Sequence, residues 1–308
     1  MDLKEEIIKL KNKKNAVILA HYYQRSEIQE IADYVGDSLG LSQKAAETKA
    51  DIIVFAGVHF MAETAKILNP TKTVILPDLA AGCSLAESCP PDSFEKFIKL
   101  HPNHTVITYV NCSAEVKALT DIVCTSSNAL KIVNSIPKDI PIIFAPDKNL
   151  GKYIIKETGR DMLLWDGSCA VHEAFSFDKL TILHKKYPDY KIIAHPESEE
   201  NILKTATYVG STSGMINYVK THSEEKFIVA TEAGILYKMQ LEVPNTELVP
   251  APAIDDNTCA CSECAYMKVN TMQKLYDCLL NESPQIDVRK DIREKALLPI
   301  KRMLKLSK

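Results

Sequence analysis

Short apolar runs rich in valine and isoleucine recur along this chain. Three of them end in polar residues: Ala16-Val-Ile-Leu-Ala-His21, Thr105-Val-Ile-Thr-Tyr-Val-Asn111 and Lys191-Ile-Ile-Ala-His195. They recur at intervals of roughly 85–90 residues, the self-similarity of an internal repeat. A second run follows each, at 51–57, 121–126 and 206–212, and then a third, at 73–77, 141–146 and 227–231. Short continuous runs of this kind predict buried parallel strands. Helical stretches lie between them. Ser26-Glu-Ile-Gln29 reads as a capping box opening a short helix that stops near Gly36. Further helices are predicted over 42–50, 61–68, 128–133 and 234–240.

Strands alternating with helices imply βαβ crossovers and parallel sheets. The pattern therefore predicts an α/β chain of three similar αβα, Rossmann-like units over 1–83, 84–169 and 170–264, with helices at 265–308 packing back on the first. The first unit reads as irregular, with an extra helix before its second strand and none before Cys83. The other two insert a helix there and add a further run, at 162–165 and 248–250. A single α/β domain with look-alike strands is the alternative, and three matching strand ends count against it.

Each unit closes with a cysteine just beyond its last strand: Cys83, Cys169 and Cys264. One thiolate from each can hold an iron–sulfur cluster on three protein ligands. Such clusters normally take four cysteines, and an iron left without one is free to bind and polarise substrate. The chain has nine cysteines, an odd number that does not pair off, so reduced thiols serving a metal account for them better than disulfides do. The run Cys259-Ala-Cys261-Ser-Glu-Cys264 also fits a dithiol switch or half of a zinc site. Zinc would need a second closely spaced pair, whereas Cys83 and Cys89 are six apart and Cys169 stands alone. Cys112, Cys124 and Cys278 read as buried apolar residues.

Ligands of parallel α/β units bind at the carboxyl ends of the strands. Those ends carry His21, Tyr22 and Tyr23; Tyr109 and Asn111; Ser126, Ser127 and Asn128; His195 and Glu197; Ser211, Thr212 and Ser213; and Glu232. With the units packed about a pseudo-threefold axis, strand ends inward, these residues face one cavity that the three cysteines close. Thr125-Ser-Ser-Asn128, Gly210-Ser-Thr-Ser-Gly214 and Gly36-Asp-Ser38 stand where a strand gives way to a helix, and free N–H groups there favour an anion. Each alone reads as an N-cap; three on matching tips point to an anionic substrate. Tyr23 and Glu197 are groups able to move protons once a metal or an imidazole tunes them.

Charge narrows the partners. The formal net charge is −3, with no bias toward polyanions. The basic C-terminal stretch (Arg289, Lys290, Arg293, Lys301, Arg302, Lys305) carries apolar partners and reads as a surface helix with one buried face. No apolar run approaches about 18 residues, and the N-terminus lacks a signal-peptide core. A cytoplasmic protein without nucleic-acid or membrane partners is expected.

Motifs spread from near residue 18 to 270 carry a closer likeness. They include Leu19-Ala-His-Tyr-Tyr-Gln24, Ile31-Ala-Asp-Tyr-Val-Gly-Asp-Ser-Leu39 and Phe60-Met-Ala-Glu-Thr-Ala-Lys-Ile-Leu-Asn-Pro70. Tyr109-Val-Asn-Cys-Ser-Ala-Glu115, Cys124-Thr-Ser-Ser-Asn-Ala129, Pro146-Asp-Lys-Asn-Leu150 and Cys169-Ala-Val-His172 continue the set. His195-Pro-Glu197, Tyr208-Val-Gly-Ser-Thr212, Thr231-Glu232 and Cys264-Ala-Tyr-Met-Lys-Val-Asn270 complete it. In these the chain resembles the quinolinate synthase family of NAD biosynthesis. The resemblance implies three αβα domains around a [4Fe–4S] cluster ligated by Cys83, Cys169 and Cys264. It implies condensation of iminoaspartate with dihydroxyacetone phosphate to quinolinate, with an aspartate oxidase or dehydrogenase supplying iminoaspartate. It also implies a catalytic set of Tyr23, Glu197, His195 and Tyr109, the first two moving protons. Ser38, Ser126, Ser211 and Thr212 would hold phosphate or carboxylate oxygens, while His21, Tyr109, Asn111, His172, His195 and Glu197 would bind substrate. Two departures stand out: Tyr22 replaces the Asn of many members, and the run before Cys264 is C-x-C-x-x-C. Choosing Cys264 over Cys261 rests on the Met-Lys-Val-Asn that follows, and a Cys261–Cys264 redox switch is an expectation to test.

Two other readings stay open on sequence. One keeps the cluster and changes the reaction: archaeal diphthamide-forming enzymes also resemble a three-domain fold with one cysteine per domain but cleave S-adenosylmethionine, and the anion-binding tips point the other way. A periplasmic-type binding protein is the third reading, against which the cysteine count weighs.

Overall fold

The apolar runs form twelve strands among the described residues of a computed structural model, which covers 2–254 and 262–307. They are β1 Ala16–His21, β2 Tyr34–Gly36, β3 Ile52–Ala56, β4 Thr73–Ile75, β5 Thr105–Tyr109 and β6 Ile122–Cys124, then β7 Ile142–Ala145, β8 Leu163–Leu164, β9 Tyr190–Ala194, β10 Tyr208–Val209, β11 Lys226–Ala230 and β12 Leu248–Pro250. These make three parallel four-stranded sheets with one shared order: β2-β1-β3-β4, β6-β5-β7-β8 and β10-β9-β11-β12. The α/β class and the repeated αβα units follow. β3 and β7 are buried at every position, as central parallel strands covered by helices on both faces should be. In the third sheet the side chains alternate between faces. Ile192 and Ile228 pack into one apolar cluster, and Ile193, Phe227 and Val229 into another.

The first unit corrects the sequence reading. Residues 51–57 were expected to be its second strand, but β3 is its third, and the second is β2. The helix expected to run toward Gly36 ends at Ile31. Asp33 then accepts the Ile18 N–H at 2.8 Å, as Asp121 accepts that of Val106 at 2.9 Å. Backbone bonds from Asp33, Asp121 and Thr207 to the carbonyls of Ile18, Val106 and Ile192 start the second strand identically in all three sheets. Asp33-Tyr-Val-Gly36, Asp121-Ile-Val-Cys124 and Thr207-Tyr-Val-Gly210 therefore correspond, and the apparent irregularity disappears. The capping box does not form either. Helix Ser26–Ile31 starts without a side-chain cap, and the Gln29 amide instead donates to the carbonyls of Tyr22, Gln24 and Gly234 at 2.9–3.1 Å.

Helix Met272–Asn281 packs along helix Leu3–Lys13. Helix Lys290–Leu306 lies against helix Ala114–Ala118, β6 and helix His59–Leu68, bridging the first and second sheets. It buries Ala296, Pro299, Ile300 and Met303 on one face, as its amphipathic pattern predicts. Among the described residues no helix is long and apolar enough to cross a membrane.

Candidate active site

Residues at the carboxyl ends of β1, β5 and β9 and in the turns after β2, β6 and β10 line one cavity of about 310 Å³. His21, Tyr23, Tyr109, Asn111, His195 and Glu197 all reach it, as do Ser38, Ser126, Thr212 and His172. Ser38, Ser126 and Thr212 occupy corresponding places after the corresponding strands, so one hydroxyl comes from each sheet. Ser211 does not join them. It caps helix Thr212–Thr221 by accepting the Gly214 N–H at 3.1 Å. Tyr22 also stays out of the cavity, packing beside Tyr208 in the third sheet's apolar cluster. Asn111 holds a buried amide oxygen without a partner among the described residues, an acceptor that a ligand N–H would satisfy.

The three cysteines line the same cavity. Each directly precedes a four-residue helix: Ser84–Glu87 after Cys83, Ala170–Glu173 after Cys169, and Ala265–Lys268 after Cys264. Burial pushes the Cys83 thiol up to about 12, and those of Cys169 and Cys264 also upward. Backbone amides of the helix turns (Ala86 and Leu85, His172, Met267 and Tyr266) pull the other way without prevailing. Buried thiols of this kind stay protonated unless a cation takes them as thiolates, so the donor set suits a soft metal centre. Cys169, His172 and Glu197 form a tighter group, with donor atoms within 4.8 Å of one another, that fits a metal ion. Cys89, Cys112, Cys124 and Cys278 are buried away from the cavity, the last three as the sequence predicts. Cys259 and Cys261 lie outside the described residues, and with them the expected Cys261–Cys264 switch.

A chain of short contacts links the proton-moving groups. Tyr109 Oη donates to Glu197 Oε1 at 2.5 Å, and His172 Nδ1 lies 3.1 Å from Glu197 Oε2. His172 Nε2 meets Thr231 Oγ1 at 3.0 Å, and Thr231 Oγ1 meets Tyr23 Oη at 2.6 Å. Burial would raise the Glu197 carboxyl, but His172, His195 and the Tyr109 hydroxyl together hold it below its ordinary range. His195 is itself lowered to about 3 by burial, so at neutral pH it is an uncharged imidazole. The hydroxyl's donation is a part of the pull on Glu197 that needs no charged imidazole. Burial also lowers His21, to about 4, and raises Tyr23 and Tyr109 well above the usual phenol range. His195 Nε2 reaches Ser126 Oγ at 3.2 Å, so the neutral ring can orient that hydroxyl.

Glu232 ties the cysteine segment to the first sheet. Its Oε1 accepts the Cys264 N–H and Lys268 Nζ, each at 3.0 Å, and its Oε2 accepts the Gly234 N–H at 2.7 Å. Lys268 Nζ also donates to the Tyr23 carbonyl at 2.7 Å. Removing one partner of a buried pair leaves the other uncompensated. Lys268→Met should therefore lower stability by about 3 kcal/mol. Urea unfolding would measure it, and an unchanged midpoint would contradict this role for the pair. Thr231 and Lys268 were not predicted as site residues. Thr231 lies just past the carboxyl end of β11, a position that the strand-end rule covers; Lys268 gave no such signal.

The comparisons agree with this architecture. Residues 5–305 match the family described as NadA, quinolinate synthetase A protein. Proteins named quinolinate synthase from Microcystis aeruginosa, Gloeothece citriformis and Trichodesmium erythraeum are 60%, 59% and 58% identical to this chain. These matches cover 99%, 100% and 99% of this chain and 95%, 94% and 94% of theirs. Alike in sequence along nearly its whole length, the chain belongs to the quinolinate synthetase A (NadA) family.

Proposed function

We propose that this protein is a quinolinate synthase that condenses iminoaspartate with dihydroxyacetone phosphate, releasing phosphate and water. The observation that carries the reading is the single cavity in which three helix-starting cysteines face the Glu197–Tyr109 pair. In this reading the units are domains over 1–83 with 265–308, 84–169 and 170–264, set about a pseudo-threefold axis. Cys83, Cys169 and Cys264 hold a [4Fe–4S] cluster. When bound, such a cluster with one iron free of protein ligand supplies a Lewis acid for a hydroxyl or carboxylate. The free thiols among the described cysteines suit a reducing, cytoplasmic setting. An aspartate oxidase or dehydrogenase is the class of enzyme that would supply the imine.

The remaining chemistry belongs to the side chains. Ser38, Ser126 and Thr212 offer hydroxyls to phosphate or carboxylate oxygens. Helices Ser38–Glu47 and Thr212–Thr221 add the positive ends of their dipoles. Glu197, ionised and oriented by Tyr109, takes a proton from carbon next to the carbonyl or imine. Tyr23, with its hydroxyl fixed by Thr231, gives a proton to a departing oxygen. His21, His172, His195 and Asn111 orient the substrates, His21 and His195 as uncharged imidazoles that act as hydrogen-bond partners.

Anaerobically purified protein given dihydroxyacetone phosphate and iminoaspartate formed in place should release quinolinate and phosphate, each dependent on both substrates. An iron-loaded protein that forms neither would overturn the reading. Ser126→Ala should raise KM for dihydroxyacetone phosphate by about tenfold, the effect of one lost hydrogen bond to a charged group. Steady-state kinetics measures this, and an unchanged KM removes Ser126 from the cradle.

A further inference from the structure

One carboxylate joins the tips of all three sheets. Asp37 follows β2. Its Oδ1 accepts the Gly40 N–H at 2.8 Å and caps its own helix. Its Oδ2 accepts the hydroxyl of Ser127, from the turn after β6, at 2.7 Å, and that of Ser213, from the turn after β10, at 2.8 Å. Ser127 and Ser213 occupy corresponding places in their units. Leu39 stands there in the first unit and has nothing to donate, so a single acid serves both arms.

The cavity hydroxyls are the immediate neighbours of this node in sequence: Ser38 follows Asp37, Ser126 precedes Ser127, and Thr212 precedes Ser213. We propose, resting on the function read above, that Asp37 is a positioning residue. By holding Ser127 and Ser213 it fixes the spacing of the three hydroxyls that bind the anionic substrate. Its sign sets the proposal apart. A negative charge beside an anion cradle repels the ligand, so by charge alone its removal should tighten binding of a phosphate ester. As a node, its removal should loosen binding, because small misplacements of binding groups carry large penalties.

Asp37→Ser is the informative variant, because Ser211 shows that serine can cap the matching helix, whereas a serine side chain is too short to reach both arms. In the iron-loaded protein its KM for dihydroxyacetone phosphate should rise about tenfold or more, with kcat within about threefold and cluster absorbance unchanged. Direct calorimetric binding of dihydroxyacetone phosphate should weaken in parallel. Ser213→Ala, which removes one arm and leaves Asp37 in place, should give a smaller rise in the same direction. It also serves if Asp37→Ser does not fold. Tighter or unchanged binding in a folded variant overturns the proposal and leaves the function standing. Absence of dihydroxyacetone phosphate binding in the parent protein overturns the function, and this inference with it.

Discussion

Cys169→Ser should purify colourless, with its iron lost and quinolinate formation lowered by about a thousandfold or more, the scale of several kcal/mol of Lewis-acid stabilisation. The reason lies in the thiols. Cys169 is buried and its pKa is driven well above the ordinary range, chiefly by burial and then by the neighbouring Glu197 carboxylate and Cys83. Such a group becomes a thiolate only where a cation compensates, and a serine hydroxyl at the same place is a far poorer donor for iron. Cys83→Ser and Cys264→Ser should behave alike, since each of these cysteines opens a short helix on the same cavity. Cys89→Ser is the control: it is 1% exposed, lies outside the cavity and should leave iron content unchanged. Full iron occupancy and full activity in Cys169→Ser would contradict the assignment.

Glu197→Gln should lower kcat by about a thousandfold, within the range that one general acid–base contributes, while the protein keeps its iron. Glutamine preserves the shape and can still accept from Tyr109 Oη, so substrate affinity should change little. What disappears is the carboxylate that the contact chain through His172 and Thr231 reaches among the described residues. Separate measurement of kcat and KM checks the claim. A variant with near-normal kcat would move the base elsewhere. A variant that loses iron as well would make Glu197 a metal ligand, in keeping with its closeness to Cys169 and His172.

Much of this was legible in the sequence because its signal is local. β1, β5 and β9 announce themselves through unbroken runs of Val and Ile, and the cysteine that closes each unit follows from counting strands. β2 did not. It is only three residues long, and its Tyr34-Val-Gly36 follows a real helix without a proline or glycine to mark the boundary. Missing it shifted the first unit by one strand and left Gly36-Asp-Ser38 without the strand that leads into it. The cap that Ser211 forms was not singled out from sequence, since a serine at a strand-to-helix turn serves equally as cap or ligand contact until the backbone is seen. Lys268 and Asp37 owe their roles to contacts between different sheets, which periodicity within one segment does not encode. Thr231 was reachable by the strand-end rule, but a lone threonine gains meaning only beside Tyr23 and His172.

Chemical analysis of anaerobically purified protein for iron and acid-labile sulfide, with Mössbauer spectra taken before and after dihydroxyacetone phosphate is added, tests the account most directly. The account predicts about four of each per chain, with one iron whose signal alone changes when the ligand binds. Protein without iron that makes quinolinate at full rate, or a cluster whose irons all stay unchanged on saturation, would contradict it.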